Sequence, residues 1–280
     1  MATVPLTVPS TGGVALALHD LGGTGPTLLI CHATGFCGRA YEPLAALLGP
    51  SHHVFAMDFR GHGDSTLPDE GSLAWGGMAD DVAAVAAALP PGPIHVVGHS
   101  MGGAAAVMAQ TRAPGLLASA YLYEPIVLPA GGLPGVAPNP MAAGARRRRE
   151  VFGSRAEALH RYASRPPLSA LRAGALASYV EHGFADRPDG TVRLKCRAET
   201  EASVFEATGQ ITLAAVAGTA LAVVVARGGE GESPIAALSP RLVDALPGAT
   251  LRTYAHLGHF GPLQDPDSVA ADVLALTAGA

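Results

Sequence analysis

A serine in a glycine-rich turn is the feature of this sequence with the clearest chemistry. The segment Ile94–Gly103 reads Ile-His-Val-Val-Gly-His-Ser-Met-Gly-Gly, an apolar run that leads into Gly-x-Ser-x-Gly and then into an Ala-rich stretch. A nucleophile on a sharp strand-to-helix turn has a strained backbone and crowded neighbours, so Gly98 and Gly102 suit their positions. We predict that Ser100 is a nucleophile and that the following helix directs its amino-terminal amides at developing negative charge.

A serine hydroxyl is a weak nucleophile until a base removes its proton, so a histidine partner is required. The sequence has 11 histidines. His259, in a loop after the last predicted strand, is the predicted base, and His256 is the main alternative. His99 directly precedes the nucleophile in sequence, but the turn should point its ring away from the hydroxyl. We expect His99 to pack beside the site and place it among the substrate-binding residues.

Alternating apolar segments and helical periods indicate how these residues are positioned. Eight short segments predict strands: Thr3–Val8, Val14–Asp20, Thr27–His32, His53–Asp58, Ile94–Gly98, Ser119–Glu124, Leu221–Ala226 and Leu251–Tyr254. Five longer segments predict helices: Arg39–Leu48, Ala74–Leu89, Met101–Arg112, Ile235–Leu246 and Asp267–Leu276. Several strands are continuously apolar, which is typical of strands buried on both faces. The pattern predicts an α/β fold with a doubly wound, mostly parallel sheet flanked by helices.

Together with the nucleophile turn, three segments resemble the α/β-hydrolase fold superfamily, in its serine-nucleophile, esterase-like branch. Cys31–Phe36 resembles the oxyanion segment after the third strand, with Ala33 where the family has Gly. Asp58–Ser65 resembles the turn after the fourth strand, and Leu257–Phe260 resembles the segment that carries the catalytic histidine. The resemblance covers nearly the whole chain outside residues 127–218. It implies an eight-stranded α/β-hydrolase sheet and the order nucleophile, acid, histidine.

The acid of such a triad holds the imidazole in one tautomer and stabilises the imidazolium. The family usually places it after the strand that follows residues 127–218, where the loop Arg227–Pro234 has no Asp but contains Glu230 and Glu232. Some branches place it at the end of the preceding strand, where Glu124 is followed by Pro125. A Glu at the end of an apolar strand needs a partner. We favour Glu124, with Glu232 as the principal alternative and Glu230 as a third.

The resemblance also implies an oxyanion hole built from two backbone N–H donors. Met101, directly after the nucleophile, should supply one donor, and Thr34 should supply the other. Ala33 and Phe36, on either side of Thr34, are expected to border the substrate.

Residues 127–218, here called the insertion, interrupt the strand–helix alternation. The insertion opens with a Pro/Gly-rich linker and contains 12 basic and 8 acidic residues, against 6 and 15 in the rest of the chain. We predict a core domain of residues 1–126 and 219–280, with the insertion as a helical lid over the carboxyl ends of the strands, where such folds bind ligands. The run Arg146–Arg149 is either a solvated helix face or a site for an anionic substrate group.

Composition excludes several classes of protein. The chain has 280 residues, 49% hydrophobic and 15% charged, with a net charge of −5, which argues against disorder and against general nucleic-acid binding. The charge-free stretch Ala207–Ala226 contains Gly and Thr, so we expect a helix end, a turn and a buried strand, with no membrane span. Its three cysteines form no CxxC, no secretory signal is visible, and no metal or dinucleotide motif occurs. We expect a cytoplasmic protein with no cofactor and no bound metal.

These observations favour a serine hydrolase that cleaves a small or medium carboxylic ester, or a related acyl substrate, through an acyl-enzyme. Ser100 stands where related folds that open epoxides or remove halide use Asp, which argues against those reactions. The same triad could serve a cofactor-free haloperoxidase or perhydrolase, a thioesterase or a lactonase. The fold could also serve as a non-catalytic ligand receptor. We expect a small acyl compound as the ligand and a monomer or homodimer as the assembly.

Overall fold

A computed structural model describes residues 4–69, 72–131, 139–229 and 235–279. Its strands are β1 (Leu6–Pro9), β2 (Ala15–Gly23), β3 (Thr27–Cys31), β4 (His53–Met57), β5 (Ile94–His99), β6 (Ser119–Tyr123), β7 (Val151–Phe152), β8 (Phe184–Asp186), β9 (Val192–Leu194), β10 (Ala222–Gly228) and β11 (Thr250–Tyr254). Eight of them form one sheet in the order β1-β2-β4-β3-β5-β6-β10-β11. Strand β2 pairs antiparallel with β1 and β4, and the remaining neighbours are parallel. The predicted eight-stranded sheet is confirmed.

The helices lie between these strands much as the sequence predicts. They are α1 (Glu42–Leu48), α2 (Trp75–Ala88), α3 (Met101–Arg112), α4 (Pro140–Arg146), α5 (Arg155–Ala163), α6 (Ala173–His182), α7 (Ala198–Glu206), α8 (Leu213–Val216), α9 (Leu238–Ala245), α10 (Gly261–Gln264) and α11 (Pro266–Ala278). Short 3₁₀ helices cover Thr11–Gly13, Gly38–Tyr41 and Leu168–Ala170. Across the described ranges, no helix combines the length and the apolar character needed to cross a membrane.

The central strands of the sheet are buried on both faces. Successive residues of β3 alternate between two core clusters: Leu29 lies in one with α2, α3 and α9, and Leu28 lies in the other with α1, α6 and α11. Val96 and Val97 of β5 divide in the same way. This alternation explains why the central strands read as continuous apolar runs rather than as alternating patterns.

The insertion is not wholly helical. Besides α4 to α8 it contains a small antiparallel sheet in the order β7-β9-β8. The sequence does not predict this sheet, because strands of two or three residues are too short to show a period of two. The end of the insertion packs on the large sheet, since Ile211 and Val216 are buried in the same core cluster as Leu29 of β3 and Val223 of β10.

Two glycines of the nucleophile turn are required by close backbone contacts. A Cβ on Gly98 would lie 2.6 Å from the Gly103 Cα, where β5 passes the start of α3. A Cβ on Gly102 would lie 2.2 Å from the Cys31 carbonyl oxygen, at the end of the neighbouring strand β3. The spacing of the motif therefore reflects how closely α3 packs on β3 and β5.

Buried histidines fix the loops that follow β3 and β4. His32 donates from Nδ1 to the Ala33 carbonyl (2.8 Å) and accepts at Nε2 from the Phe59 N–H (3.1 Å). Burial, together with nearby His62, lowers the pKa of His32 to about 3. His62 donates from Nδ1 to the Arg60 carbonyl (3.0 Å), and burial lowers its pKa to about 4. Both rings are neutral when the protein is folded at neutral pH.

We expect Gly102→Ala to destabilise the fold, although alanine normally stabilises a helix interior. The Cβ must displace the backbone of β3, and such overpacking costs about 1–3 kcal/mol or more. The matched control is Gly144→Ala in α4, whose Cβ would meet nothing within 4 Å. That variant should gain up to about 1 kcal/mol from helix propensity. Urea unfolding measures the change in the free energy of unfolding for both variants. Changes of the same sign in the two variants would contradict this explanation.

We expect the free energy of unfolding to fall as the pH drops below about 6.5. The unfolded chain then protonates His32 and His62, whereas the folded chain does not until the pH approaches their pKa values of about 3 and 4. Each group adds a slope of about 1.4 kcal/mol per pH unit near pH 5. His32→Asn keeps a donor for the Ala33 carbonyl but does not titrate. The unfolding free energy of this variant should therefore depend less steeply on pH, by the slope that one histidine contributes. Urea unfolding from pH 7 to 5 tests this, and an unchanged slope would refute it.

Candidate active site

Ser100 lies between β5 and α3 in a strained backbone conformation. Its φ of 56° and ψ of −116° fall outside the regions that non-glycine residues normally adopt. Backbone hydrogen bonds hold it there: the Ser100 N–H donates to the Tyr123 carbonyl (2.9 Å), and the Ser100 carbonyl accepts from the Ile126 N–H (3.2 Å). The adjacent strand β6 thus keeps the serine at the carboxyl edge of the sheet.

His259 and Glu124 are in direct contact at the same edge. The Nδ1 atom of His259 lies 2.7 Å from Oε2 of Glu124. The other carboxylate oxygen, Oε1, accepts a hydrogen bond from the Gly228 N–H (2.9 Å). Glu124 is only 1% exposed. Its φ is 41°, and among the described residues it and Ser100 are the two non-glycine residues with positive φ.

The alternative partners are placed differently. His256 is exposed and lies 3.2 Å from a carboxylate oxygen of Asp265, rather than beside Glu124. Glu230 and Glu232, the alternative acids, lie outside the described residues. Of the predicted acids, Glu124 is the one that the described structure brings to His259.

The segment after β3 forms a tight turn beside the start of α3. The Phe36 N–H donates to the Ala33 carbonyl (3.1 Å), and Gly35 between them has a φ of +80°. The Thr34 Oγ1 lies 3.3 Å from the Met101 sulfur, so the two predicted oxyanion donors belong to adjacent residues in space. Met101 opens α3, where the first amides lack helical partners. The Ala33 N–H already donates to the Tyr41 hydroxyl (3.2 Å).

His99 is placed beneath the site instead of facing a substrate. Its ring is fully buried, with Nδ1 2.6 Å from the Tyr41 hydroxyl and Nε2 2.8 Å from the His259 carbonyl oxygen. Because both nitrogens are engaged within the protein, the predicted substrate contact of His99 does not fit the structure. The part played by Tyr41 was missed, since nothing in the sequence links it to a residue 58 positions away.

The insertion reaches the oxyanion segment through Tyr179 of α6. The Tyr179 hydroxyl donates to the Gly35 carbonyl (3.0 Å) and accepts from Nη2 of Arg148 (2.8 Å). Arg148 also forms an ion pair with Glu201 of α7. A Cβ on Gly35 would lie 2.5 Å from a Glu201 carboxylate oxygen, so the glycine leaves room for this cluster.

Phe36 joins this contact to the segment Leu257–Phe260, here called the histidine loop. Its ring centroid lies 4.8 Å from that of Tyr179 and 5.6 Å from that of Phe260, which follows His259. Phe36 is mostly buried, and together with Phe260 it gives this part of the site an apolar surface.

The basic run Arg146–Arg149 is largely neutralised within the insertion. Its ion pairs join Arg146 to Glu199 and Glu206, Arg148 to Glu201, and Arg149 to Glu157. Three of the four arginines therefore hold elements of the insertion together.

One group of side chains has the residue types of a metal site, but its carboxylates are already bonded to protein groups. Ligand atoms of His19, Asp58 and Asp64 lie within 4.8 Å of one another. The Asp58 carboxylate, however, already binds His19 Nε2 (2.9 Å) and the N–H groups of Gly38 (2.7 Å) and Asp64 (2.9 Å). Asp64 also pairs with Lys195 (2.7 Å). These carboxylates are satisfied by the protein and serve to fix the loop after β4.

Part of the sequence is similar to two proteins of known activity. The chain is 36% identical over 102 residues to 2-(acetamidomethylene)succinate hydrolase of Mesorhizobium japonicum, covering 36% of each protein. It is 36% identical over 103 residues to protein phosphatase methylesterase 1 of Bos taurus, covering 35% of this chain and 27% of that protein. The matches thus span about a quarter to a third of these relatives' lengths.

Comparison with solved structures covers nearly all of the chain. A crystal structure of E-2-(acetamidomethylene)succinate hydrolase superposes with a TM-score of 0.82 at 23% identity, over 98% of this chain and 99% of that one. The sequence model of the Alpha/beta hydrolase family matches residues 28–272, which include Ser100, Glu124 and His259. This chain belongs to the alpha/beta hydrolase family.

Proposed function

We propose that this protein is a serine hydrolase that cleaves a small or medium carboxylic ester, or a related acyl compound, through an acyl-enzyme. Ser100 is the nucleophile, His259 the general base and Glu124 the acid. The observation that carries the proposal is the 2.7 Å contact between His259 Nδ1 and Glu124, at the sheet edge where Ser100 occupies its strained turn.

The hydrogen bonds of Glu124 define the protonation state that the base needs. A carboxylate can only accept, so its contact with His259 requires a proton on Nδ1. The lone pair is then on Nε2, which can take the Ser100 proton as Oγ attacks the acyl carbon. The resulting imidazolium donates that proton to the leaving alcohol, and the sequence repeats with water to release the acid. Buried Glu124 stabilises the imidazolium throughout.

The oxyanion of each tetrahedral intermediate would be bound by the N–H groups of Met101 and Thr34. Thr34 is the better candidate within its segment, because the Ala33 and Phe36 amides already donate to other groups. Met101 adds the favourable field at the start of α3. Two such donors, preorganised away from water, supply much of the rate enhancement in acyl transfer.

The substrate's acyl part is expected to be apolar near the reacting carbon. Phe36 and Phe260 flank the histidine loop, and the Arg148 charge is compensated by Glu201. The similarity to a methylesterase and to a hydrolase favours hydrolysis over peroxide chemistry or passive ligand binding. An ester is therefore the first substrate to test, ahead of a thioester or lactone.

We expect Ser100→Ala to abolish both hydrolysis of p-nitrophenyl esters and covalent labelling by a fluorophosphonate. Glu124→Gln should lower kcat by about 10³- to 10⁴-fold. The Gln carbonyl must accept the Gly228 N–H, which directs its NH₂ group at Nδ1 of His259. The imidazole is then forced to carry its proton on Nε2 and cannot act as a base.

Glu232→Gln is the matched control for this assignment, because it removes the charge of the alternative acid. It should leave kcat within about twofold, well under the 1.4 kcal/mol that corresponds to a tenfold change. A large loss in Glu232→Gln with a mild effect in Glu124→Gln would reverse the assignment. Full-rate labelling of Ser100→Ala would reject the serine hydrolase itself.

A further inference from the structure

Two successive carbonyl groups of the histidine loop are tethered from beneath by buried side chains. The Tyr123 hydroxyl donates to the Gly258 carbonyl (2.8 Å), and His99 Nε2 lies 2.8 Å from the His259 carbonyl. Both donors are fully buried. Gly261 also packs against the Tyr123 ring, where a Cβ would lie 2.1 Å from the nearest ring atom. The loop that carries His259 is thus held against the ends of β5 and β6.

The hydrogen bonds around His99 allow one arrangement of protons. A carbonyl oxygen only accepts, so Nε2 of His99 must carry a proton in its bond to His259. Nδ1 of the neutral ring then accepts from the Tyr41 hydroxyl (2.6 Å), and the Tyr41 oxygen accepts from the Ala33 N–H (3.2 Å). This buried chain connects the oxyanion segment to the histidine loop. Burial and the nearby His259 hold the pKa of His99 well below its usual range, so the ring stays neutral.

We propose that His99, oriented by Tyr41, is a positioning residue that holds the catalytic base in line with the nucleophile. His99 adjoins Ser100 in the chain, and its ring bonds to the backbone of His259. The nucleophile and the base are thereby tied together through a single rigid side chain, independently of the Glu124 contact to the imidazole. This inference rests on the proposed function, and it assigns His99 an effect on turnover rather than on substrate binding.

Two substitutions distinguish the hydrogen bond that His99 donates to the His259 carbonyl from the one that it accepts from Tyr41. His99→Asn retains a carbonyl oxygen close to the Nδ1 position, which can still accept from Tyr41, but it loses the donor to His259. His99→Gln carries an amide N–H that can reach the His259 carbonyl. We expect His99→Asn to lower kcat by about 10- to 100-fold with KM within about twofold, as small misplacements of catalytic groups do. His99→Gln should recover most of that loss.

Tyr41→Phe tests the orienting bond without altering His99. It removes the donor to Nδ1, together with the acceptor of the Ala33 N–H, and should also lower kcat while leaving KM nearly unchanged. Thermal unfolding of each variant verifies that it is folded at the assay temperature. If His99→Asn does not fold, the positioning role is tested with the other two variants. The kcat of Tyr41→Phe should then lie below that of the unaltered protein, and the kcat of His99→Gln should lie close to it.

The experiment distinguishes failure of this inference from failure of the proposed function. Hydrolysis and fluorophosphonate labelling by the unaltered protein, both lost in Ser100→Ala, establish the reaction first. With that reaction present, equal kcat values for folded His99→Asn and His99→Gln would overturn the positioning role. A raised KM at unchanged kcat would also overturn it, because that result would assign His99 to substrate binding.

Discussion

The burial of the Glu124 carboxylate is the constraint on which the site depends. A carboxylate that is 1% exposed loses its hydration, and this loss is tolerated only where protein donors replace the water. Each oxygen of Glu124 has one such donor, the Gly228 N–H and the His259 ring. Because one donor is a backbone amide held within β10 and the other is the imidazole, satisfying the carboxylate also fixes the histidine. The same contacts therefore stabilise the fold and orient the proposed base.

Parallel pairing places all of these groups at one edge. His99 of β5 and Ala226 of β10 both pair with Tyr123 of β6, so β5 and β6 end at the same level and β10 continues two residues further, to Gly228. Ser100 and Glu124, which follow β5 and β6, therefore lie beside the last residues of β10. The two strained residues, Ser100 and Glu124, both donate their N–H groups to a neighbouring strand, to Tyr123 and Ala226 respectively. Regular sheet pairing thus supports the irregular backbone at the positions where chemistry is proposed.

The sequence predicted the elements of this arrangement better than its contacts. Strand and helix periods are local properties, so the eight strands of the large sheet and the five flanking helices could be derived from them. Ser100 could be predicted because its turn demands Gly98 and Gly102 at fixed spacing. The hydrogen bonds that His99 makes with Tyr41 and His259 could not be predicted, because they join positions that lie far apart in the chain and share no motif. His99 was consequently assigned to the substrate, although its nitrogens are used by the protein.

The insertion shows why a count of charges is a poor guide to ligands. The sequence left open a site for an anionic substrate group in the run Arg146–Arg149, yet Arg146, Arg148 and Arg149 all form ion pairs with carboxylates of the insertion. An anion approaching Arg148 would have to displace Glu201 and break a contact that also orders Tyr179 over Gly35. Removing one partner of a partly buried pair leaves an unpaired charge, which costs more than a new surface contact returns. Arg148 therefore bears on the proposed reaction through Tyr179 and the shape of the oxyanion segment, and we expect the apolar surface of Phe36 and Phe260 to govern the choice of substrate.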